Sequence, residues 1–253
     1  MPPEDLLGGL PGPVPQRGVG VVAPFDMAMD RELWRWTPPE VSLYLTRTAF
    51  VPVPMTVEMA SLISDEAAVH AATRDLLTPE PEVVAYACAS GSFVDGAAGE
   101  RNLTSVMREA GAPAAVTTSG ALVQALEVLG ARRVAIATPY VANVTERLVG
   151  FLGEHGVEVV TSVGLGLLGR IWQVGYRQVV DIVRSADRPD AEAMFISCTN
   201  LPTYDIIGPL EQELGKPVLT ANQVTMWAAL RSMGLPAVAP QQRLVRACAA
   251  PAA

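Results

Sequence analysis

Two short apolar runs end in cysteine: Val83-Val84-Ala85-Tyr86-Ala87-Cys88 and Ala193-Met194-Phe195-Ile196-Ser197-Cys198. Runs this short and this rich in β-branched and small residues are buried on both faces, the state of a central strand in a parallel sheet. Parallel neighbours need a long crossover between them, so these runs commit the chain to βαβ units. Open α/β sheets bind ligands beyond the carboxyl ends of their strands. Each half of the chain therefore delivers one thiol to an edge suited to chemistry. If the halves face each other, the two sulfurs flank one small molecule, which points to a thiol enzyme without a cofactor.

The rest of the sequence keeps the same rhythm. Residues 19–23 and 41–47 read as strands, 56–77 as one long helix with Thr56 as cap, 83–88 as a strand and 99–110 as a helix. Strands follow at 115–117, 134–137, 157–163, 193–197 and 218–220. Between them Leu122, Ala125, Leu126 and Leu129, then Val141, Val144, Leu148, Phe151 and Leu152, recur at helical spacing. Residues 175–186, the face Ile206, Ile207, Leu210 and Leu214, and 222–233 are the remaining helices, with Thr118 or Ser119 as a further cap. The first sixteen residues, rich in Pro and Gly, and the Ala-Pro end read as extended segments.

At 253 residues, half of them hydrophobic, the chain can bury a large core. No apolar stretch is long enough to cross a bilayer, and no basic-then-apolar leader is present, so a cytoplasmic protein is expected. Three cysteines are an odd number and do not make a disulfide framework; free thiols are expected. The net charge of −8, without a Lys/Arg cluster, argues against nucleic-acid binding. His70 and His155 have no ligand-like neighbours, so no metal site is expected, and His155 before Gly156 reads as a helix end.

Cys88 and Cys198 each precede residues able to open a helix or donate N–H groups: Ala89-Ser90-Gly91-Ser92 and Thr199-Asn200. A helix start lowers a thiol pKa, so Cys88 is expected to react with iodoacetamide well below pH 8. The competing explanation is that free cysteines are often buried and inert; two at equivalent strand ends favour chemistry. Cys248 lies at the fringe and is taken as incidental. Thr138-Pro139-Tyr140 and Thr117-Thr118-Ser119-Gly120 sit on the same edge, as turn and cap or as donors to a substrate carboxylate. Asp26 follows the first strand and can bond a substrate or a neighbouring loop, whereas Trp34-Arg35-Trp36 reads as packing or a subunit contact. Arg47 and Arg170 are the nearest cations in sequence, so backbone N–H groups and hydroxyls are expected to hold the substrate.

Taken together, Gly20-Val21-Val22-Ala23-Pro24, Tyr86-Ala87-Cys88, Ser119-Gly120-Ala121-Leu122, Val134 to Tyr140 and Ile196-Ser197-Cys198 resemble the aspartate/glutamate racemase superfamily, in its maleate cis–trans isomerase and arylmalonate decarboxylase branch. The resemblance implies an α/β fold of two Rossmann-like lobes, each with a parallel four-stranded sheet, related by a pseudo-twofold with the active site in the cleft. It implies a first lobe of residues 17–114 plus 222–245 and a second of 115–221, between a lead-in (1–16) and a tail (246–253). Cys88 is then the thiol that adds to an alkene carbon and Cys198 the acid that protonates its neighbour. Asp26, Ser90, Gly91, Ser92, Thr118, Ser119, Pro139, Tyr140, Thr199 and Asn200 bind substrate. No metal, nucleotide or other cofactor is implied, and the partners are a small carboxylate and a second copy of the chain in a homodimer or higher homo-oligomer.

The chain departs from the maleate isomerase pattern at Asp26, near where that group carries asparagine, and in Gly164 to Arg170, which lacks a second asparagine. A substrate with one cationic end would pair with Asp26, which gives an amino-acid racemase with opposed thiols as the alternative. A decarboxylase lacks the first cysteine and ranks below it, followed by a non-catalytic binding protein.

Overall fold

The computed structural model describes residues 16–249. The first sheet contains β1 (Arg17–Ala23), β2 (Val41–Arg47), β3 (Val83–Tyr86) and β4 (Ala115–Thr117), in the order β2-β1-β3-β4. The second contains β5 (Arg133–Thr138), β6 (Glu158–Gly164), β7 (Ala193–Ile196) and β8 (Val218–Thr220), in the order β6-β5-β7-β8. All pairings are parallel, and the second sheet repeats the first with each strand number raised by four.

The repeat extends to single residues. Val22 pairs with Tyr86 at the end of β1 and β3, as Ala137 pairs with Ile196 at the end of β5 and β7. One residue on, the Ala87 N–H donates to the Val22 carbonyl (2.8 Å) and the Ser197 N–H to the Ala137 carbonyl (2.9 Å). Cys88 and Cys198 are each the next residue. Both thiols thus leave the sheet just past its last rung, on interior strands that are buried along their whole length.

Between the strands lie α1 (Asp30–Leu33), which runs on into a 3-10 turn at Trp34–Trp36, then α2 (Val57–Ile63), α3 (Glu66–Asp75), α4 (Ala89–Phe93), α5 (Gly96–Glu109) and α6 (Thr118–Leu129). The second half has α7 (Ala142–Glu154), α8 (Tyr176–Ala186), α9 (Tyr204–Leu214), α10 (Ala221–Ser232) and α11 (Arg243–Ala249). Helices α6 and α10 follow the corresponding strands β4 and β8. They pack on each other, where the Thr118 and Thr225 hydroxyls meet at 2.8 Å beside buried Leu122, Leu126 and Val224. No helix among the described residues is long and apolar enough to cross a membrane.

Four expectations from the sequence are corrected. The long helix over 56–77 is two helices, because the Ser64 hydroxyl folds back on the Ala60 carbonyl (2.9 Å) and Asp65 caps α3 by accepting from the Ala68 N–H (3.0 Å). The cap of α6 is Thr117, accepting from the Gly120 N–H at 3.0 Å, and not Thr118 or Ser119. Residues 115–117 belong to the first sheet, paired with β3, rather than opening the second lobe. The expected tail from 246 begins inside α11. The lead-in 1–15 and the last four residues lie outside the described residues.

Candidate active site

Cys88 is the N-cap of α4, and its Sγ accepts the Gly91 N–H at 3.4 Å with the Ser90 hydroxyl at 3.7 Å. Gly91 is required by packing. A Cβ there would lie 2.3 Å from the hydroxyl of Tyr86, which is buried beneath α4 and donates to the Ile63 carbonyl at 2.8 Å. Cys198 has φ of +98°, a region that costs a side chain strain and persists only where the surroundings hold it. Its Sγ accepts the Asn200 N–H at 3.4 Å, and the Tyr140 hydroxyl hydrogen-bonds it while accepting from the Ser197 hydroxyl at 3.4 Å.

The expected acidic thiol is overturned. Burial pushes Cys88 up to about 11 and Cys198 up to about 12, and the N–H and hydroxyl donors around each offset only part of that. A five-residue helix supplies too little dipole to reverse the loss of water around a thiolate. Both sulfurs are therefore protonated at neutral pH in the ligand-free protein. Asp26 acts on both of them, its negative charge disfavouring either thiolate. Its own carboxyl is raised by burial, against its backbone hydrogen bond and the Arg47 charge.

Cys88 and Cys198 line one cavity together with Asp26, Ser90, Tyr140, Thr199 and Asn200. The space left between them is about 20 Å³, room for about one water. Other expected contacts lie elsewhere. The Ser92 hydroxyl serves the Cys88 and Ala89 carbonyls (2.7 and 2.9 Å) and meets the Ser119 hydroxyl at 2.7 Å. The Ser92 and Ser119 hydroxyls thus brace α4 from behind the cavity, whereas the Thr118 hydroxyl bonds the Tyr86 carbonyl on β3 and Thr225 on α10. Gly91 reaches the site only through its N–H to Cys88, and Pro139 does not line the cavity, its carbonyl accepting the Leu167 N–H at 2.8 Å. Asn200 faces the cavity, but its amide is engaged with the chain after β1: Nδ2 donates to the Asp26 carbonyl (3.1 Å) and Oδ1 accepts from the Ala28 N–H (2.8 Å).

Pro24, Met55, Met59, Ile63, Ala89 and Ile171 complete the lining and were not identified from sequence. Met55 comes from a loop and Ile171 opens a 3-10 turn, neither carrying a motif, and the Met55 N–H donates to the Leu168 carbonyl across the cleft (2.9 Å). Beyond this roof a second cavity of about 410 Å³, lined by Phe25, Phe50, Val53, Leu168 and Trp172, shares Asp26, Met55 and Met59 with the first. Arg170 borders that outer cavity, whereas the Arg47 guanidinium is bonded to the Met27 carbonyl. Trp36 is packing: it is buried, tilted against Tyr204 (4.7 Å between centroids) and donates to Gln242 at 2.8 Å. Among the described residues no group of three or more His, Cys, Asp or Glu side chains is disposed to hold a metal ion.

Two α/β lobes that each hold a buried thiol over a shared cavity define a two-cysteine enzyme architecture. The family profile described as arylmalonate decarboxylase matches residues 55–245, and the chain belongs to that family, in the branch it shares with the maleate isomerases. The chain is 38% identical to the arylmalonate decarboxylase of Bordetella bronchiseptica over 60% of its own length and 65% of the relative's, so the match spans under two thirds of that protein. It is 30% identical to the maleate isomerase of Nocardia farcinica over 88% of its length and 93% of the relative's. Among solved structures, a doubly substituted arylmalonate decarboxylase in liganded form superposes with a TM-score of 0.83, at 30% identity, over 90% of this chain and 98% of that one. A Cys→Ser variant of the Nocardia farcinica maleate cis–trans isomerase with a covalently bound succinylcysteine intermediate also gives 0.83, at 26% identity, over 91% and 98%.

Proposed function

We propose that this chain is a cysteine-dependent isomerase of a small carboxylate, acting on a maleate-like cis alkene. The observation that carries this is the pair of thiols at equivalent strand ends lining one cavity. The succinylcysteine held by the related isomerase supports a covalent route. In that route Cys88, the less raised of the two thiols, gives its proton to the Asp26 carboxylate and adds to one alkene carbon. Cys198 delivers a proton to the neighbouring carbon, so a C–S and a C–H bond replace the π bond. The Cys198 thiolate that results is met by the Tyr140 hydroxyl and the Asn200 N–H. After rotation about the new single bond it takes that proton back, the C–S bond breaks, and Asp26 returns its proton to Cys88. Protonation of Asp26 during the addition also removes a negative charge that would repel a dicarboxylate.

The outer cavity favours a second reading. Its aromatic and aliphatic walls suit a carboxylate whose α-carbon carries an apolar group, and opposed thiols suit removal and return of an α-proton. Proton NMR separates the two. Conversion of maleate to fumarate supports the isomerase. Exchange of an α-proton with solvent deuterium and no fumarate supports the racemase. Carbon dioxide released from a substituted malonate would support the decarboxylase instead, and full turnover by the Cys88→Ala/Cys198→Ala double variant would remove the thiol mechanism. Action in the cytoplasm as a homo-oligomer belongs to the same proposal.

A further inference from the structure

Glu32, on α1 in the first lobe, is 8% exposed and takes no part in the chemistry above. A carboxylate this buried is costly unless its oxygens are fully engaged, and here they are. Oε1 accepts from the Thr203 N–H (2.7 Å), the Thr203 hydroxyl (2.8 Å) and the Tyr204 N–H (2.5 Å). Oε2 accepts from Nδ2 of Asn222 (3.2 Å), and the same Nδ2 donates to the Thr199 carbonyl (3.0 Å).

The segment from Cys198 to Thr203 is thereby held near both ends by one carboxylate. Its middle is tied through Asn200 to the Asp26 carbonyl and the Ala28 N–H. Thr203 occupies the N-cap of α9, yet its own hydroxyl does not cap that helix and donates to Glu32 instead. These moorings lead to the stretch between β1 and β2 or to α10, and they converge on a segment whose first residue, Cys198, has φ of +98°. A strained turn persists only when its neighbours over-determine it.

We propose that Glu32 is a positioning residue for Cys198: through Asn222 and Thr203, the first lobe fixes the strained turn that aims the second lobe's thiol. Glu32→Gln tests this with little change of shape. The amide oxygen can still receive the Thr203 and Tyr204 N–H groups, so the cap of α9 survives. The amide nitrogen, a donor, faces the donor of Asn222, whose own Oδ1 has no partner. Asn222 must turn that oxygen toward Gln at position 32, and the bond to the Thr199 carbonyl is lost.

Cys198 should then alkylate with iodoacetamide at pH 9 at least about threefold faster, with Cys88 unchanged. Asn222→Ala should do the same, and the double variant should go no further than either single one, because the two residues act through one relay. Unchanged or slower labelling of Cys198, equal acceleration of both thiols, or additive effects in the double variant would each overturn the proposal. These measurements need no substrate, so they stand or fall apart from the isomerase reading. On that reading, kcat should also fall about tenfold or more with KM within about threefold. A loss confined to KM would overturn the positioning role.

Discussion

At the residue scale the site is governed by the cost of keeping charge in a dry cavity. Cys88 and Cys198, raised by burial to about 11 and about 12, should alkylate slowly at pH 7 in the ligand-free protein. Their rates should rise about tenfold per pH unit toward pH 10, with Cys88 labelled first, as read by mass spectrometry. A plateau below pH 8 would mean that the thiols are not held as described. Asp26 raises both thiols, so Asp26→Asn should shift both labelling profiles to lower pH. Tyr140→Phe keeps the ring against Phe93 (6.0 Å between centroids) but removes the hydroxyl beside Cys198. Loss of one hydrogen bond to a charged group costs about 1.5–3 kcal/mol, or about ten- to a hundredfold in kcat/KM, without loss of folded protein.

At the element scale, α4 is five residues long and survives because its surroundings brace it. Ser92, Ser119 and Tyr86 hold it from behind, and Gly91 leaves the space that the Tyr86 hydroxyl fills. Gly91→Ala should destabilise the fold by about 1–3 kcal/mol through overpacking, and adding Tyr86→Phe should recover part of that loss in a denaturant titration. The break between α2 and α3 depends on the Asp65 cap, so Asp65→Ala should cost about 1 kcal/mol. This break turns what would be a straight helix into two pieces, and it lets Met59 and Ile63 reach the thiol cavity while α3 packs beside α5.

For the whole molecule, the two lobes are joined through buried polar groups as well as apolar ones. Glu211 on α9 takes the Val218 N–H (3.2 Å) and the Arg243 N–H (3.0 Å), linking α9 to β8 and to the start of α11, and burial raises its carboxyl above the usual range. The native state therefore holds this proton more tightly than the unfolded chain does. Its contribution to stability is complete below the ordinary glutamate pKa and is lost as pH rises through the raised value. Thermal midpoints should fall across that window, and Glu211→Gln should flatten the decline. The Asp205 carboxylate acts in the opposite direction. Held down by Arg35 (2.6 Å), it adds stability at higher pH that is lost on acidification, and its exposure keeps that effect small.

The sequence by itself determined the sheets and the positions of the two thiols along them. Burial on both faces leaves a strand such as 83–86 or 193–196 no choice but apolar residues, and that pattern is local and legible. The parallel crossovers follow from it, as does the placement of Cys88 and Cys198 at equivalent strand ends. What only the tertiary structure decided is everything that depends on which segments meet. Met55 and Ile171 line the cavity where two segments approach across the cleft, Ser92 and Ser119 leave it because they bond each other behind α4, and Thr118 leaves it for Thr225 on α10. The thiol acidity went the same way: a cysteine before a helix start reads as a thiolate in sequence, but burial, a property of the assembled fold, outweighs that local field. Glu32 and Asn222 carry no motif at all, since a bond between residues 190 positions apart becomes visible only when the lobes close on each other.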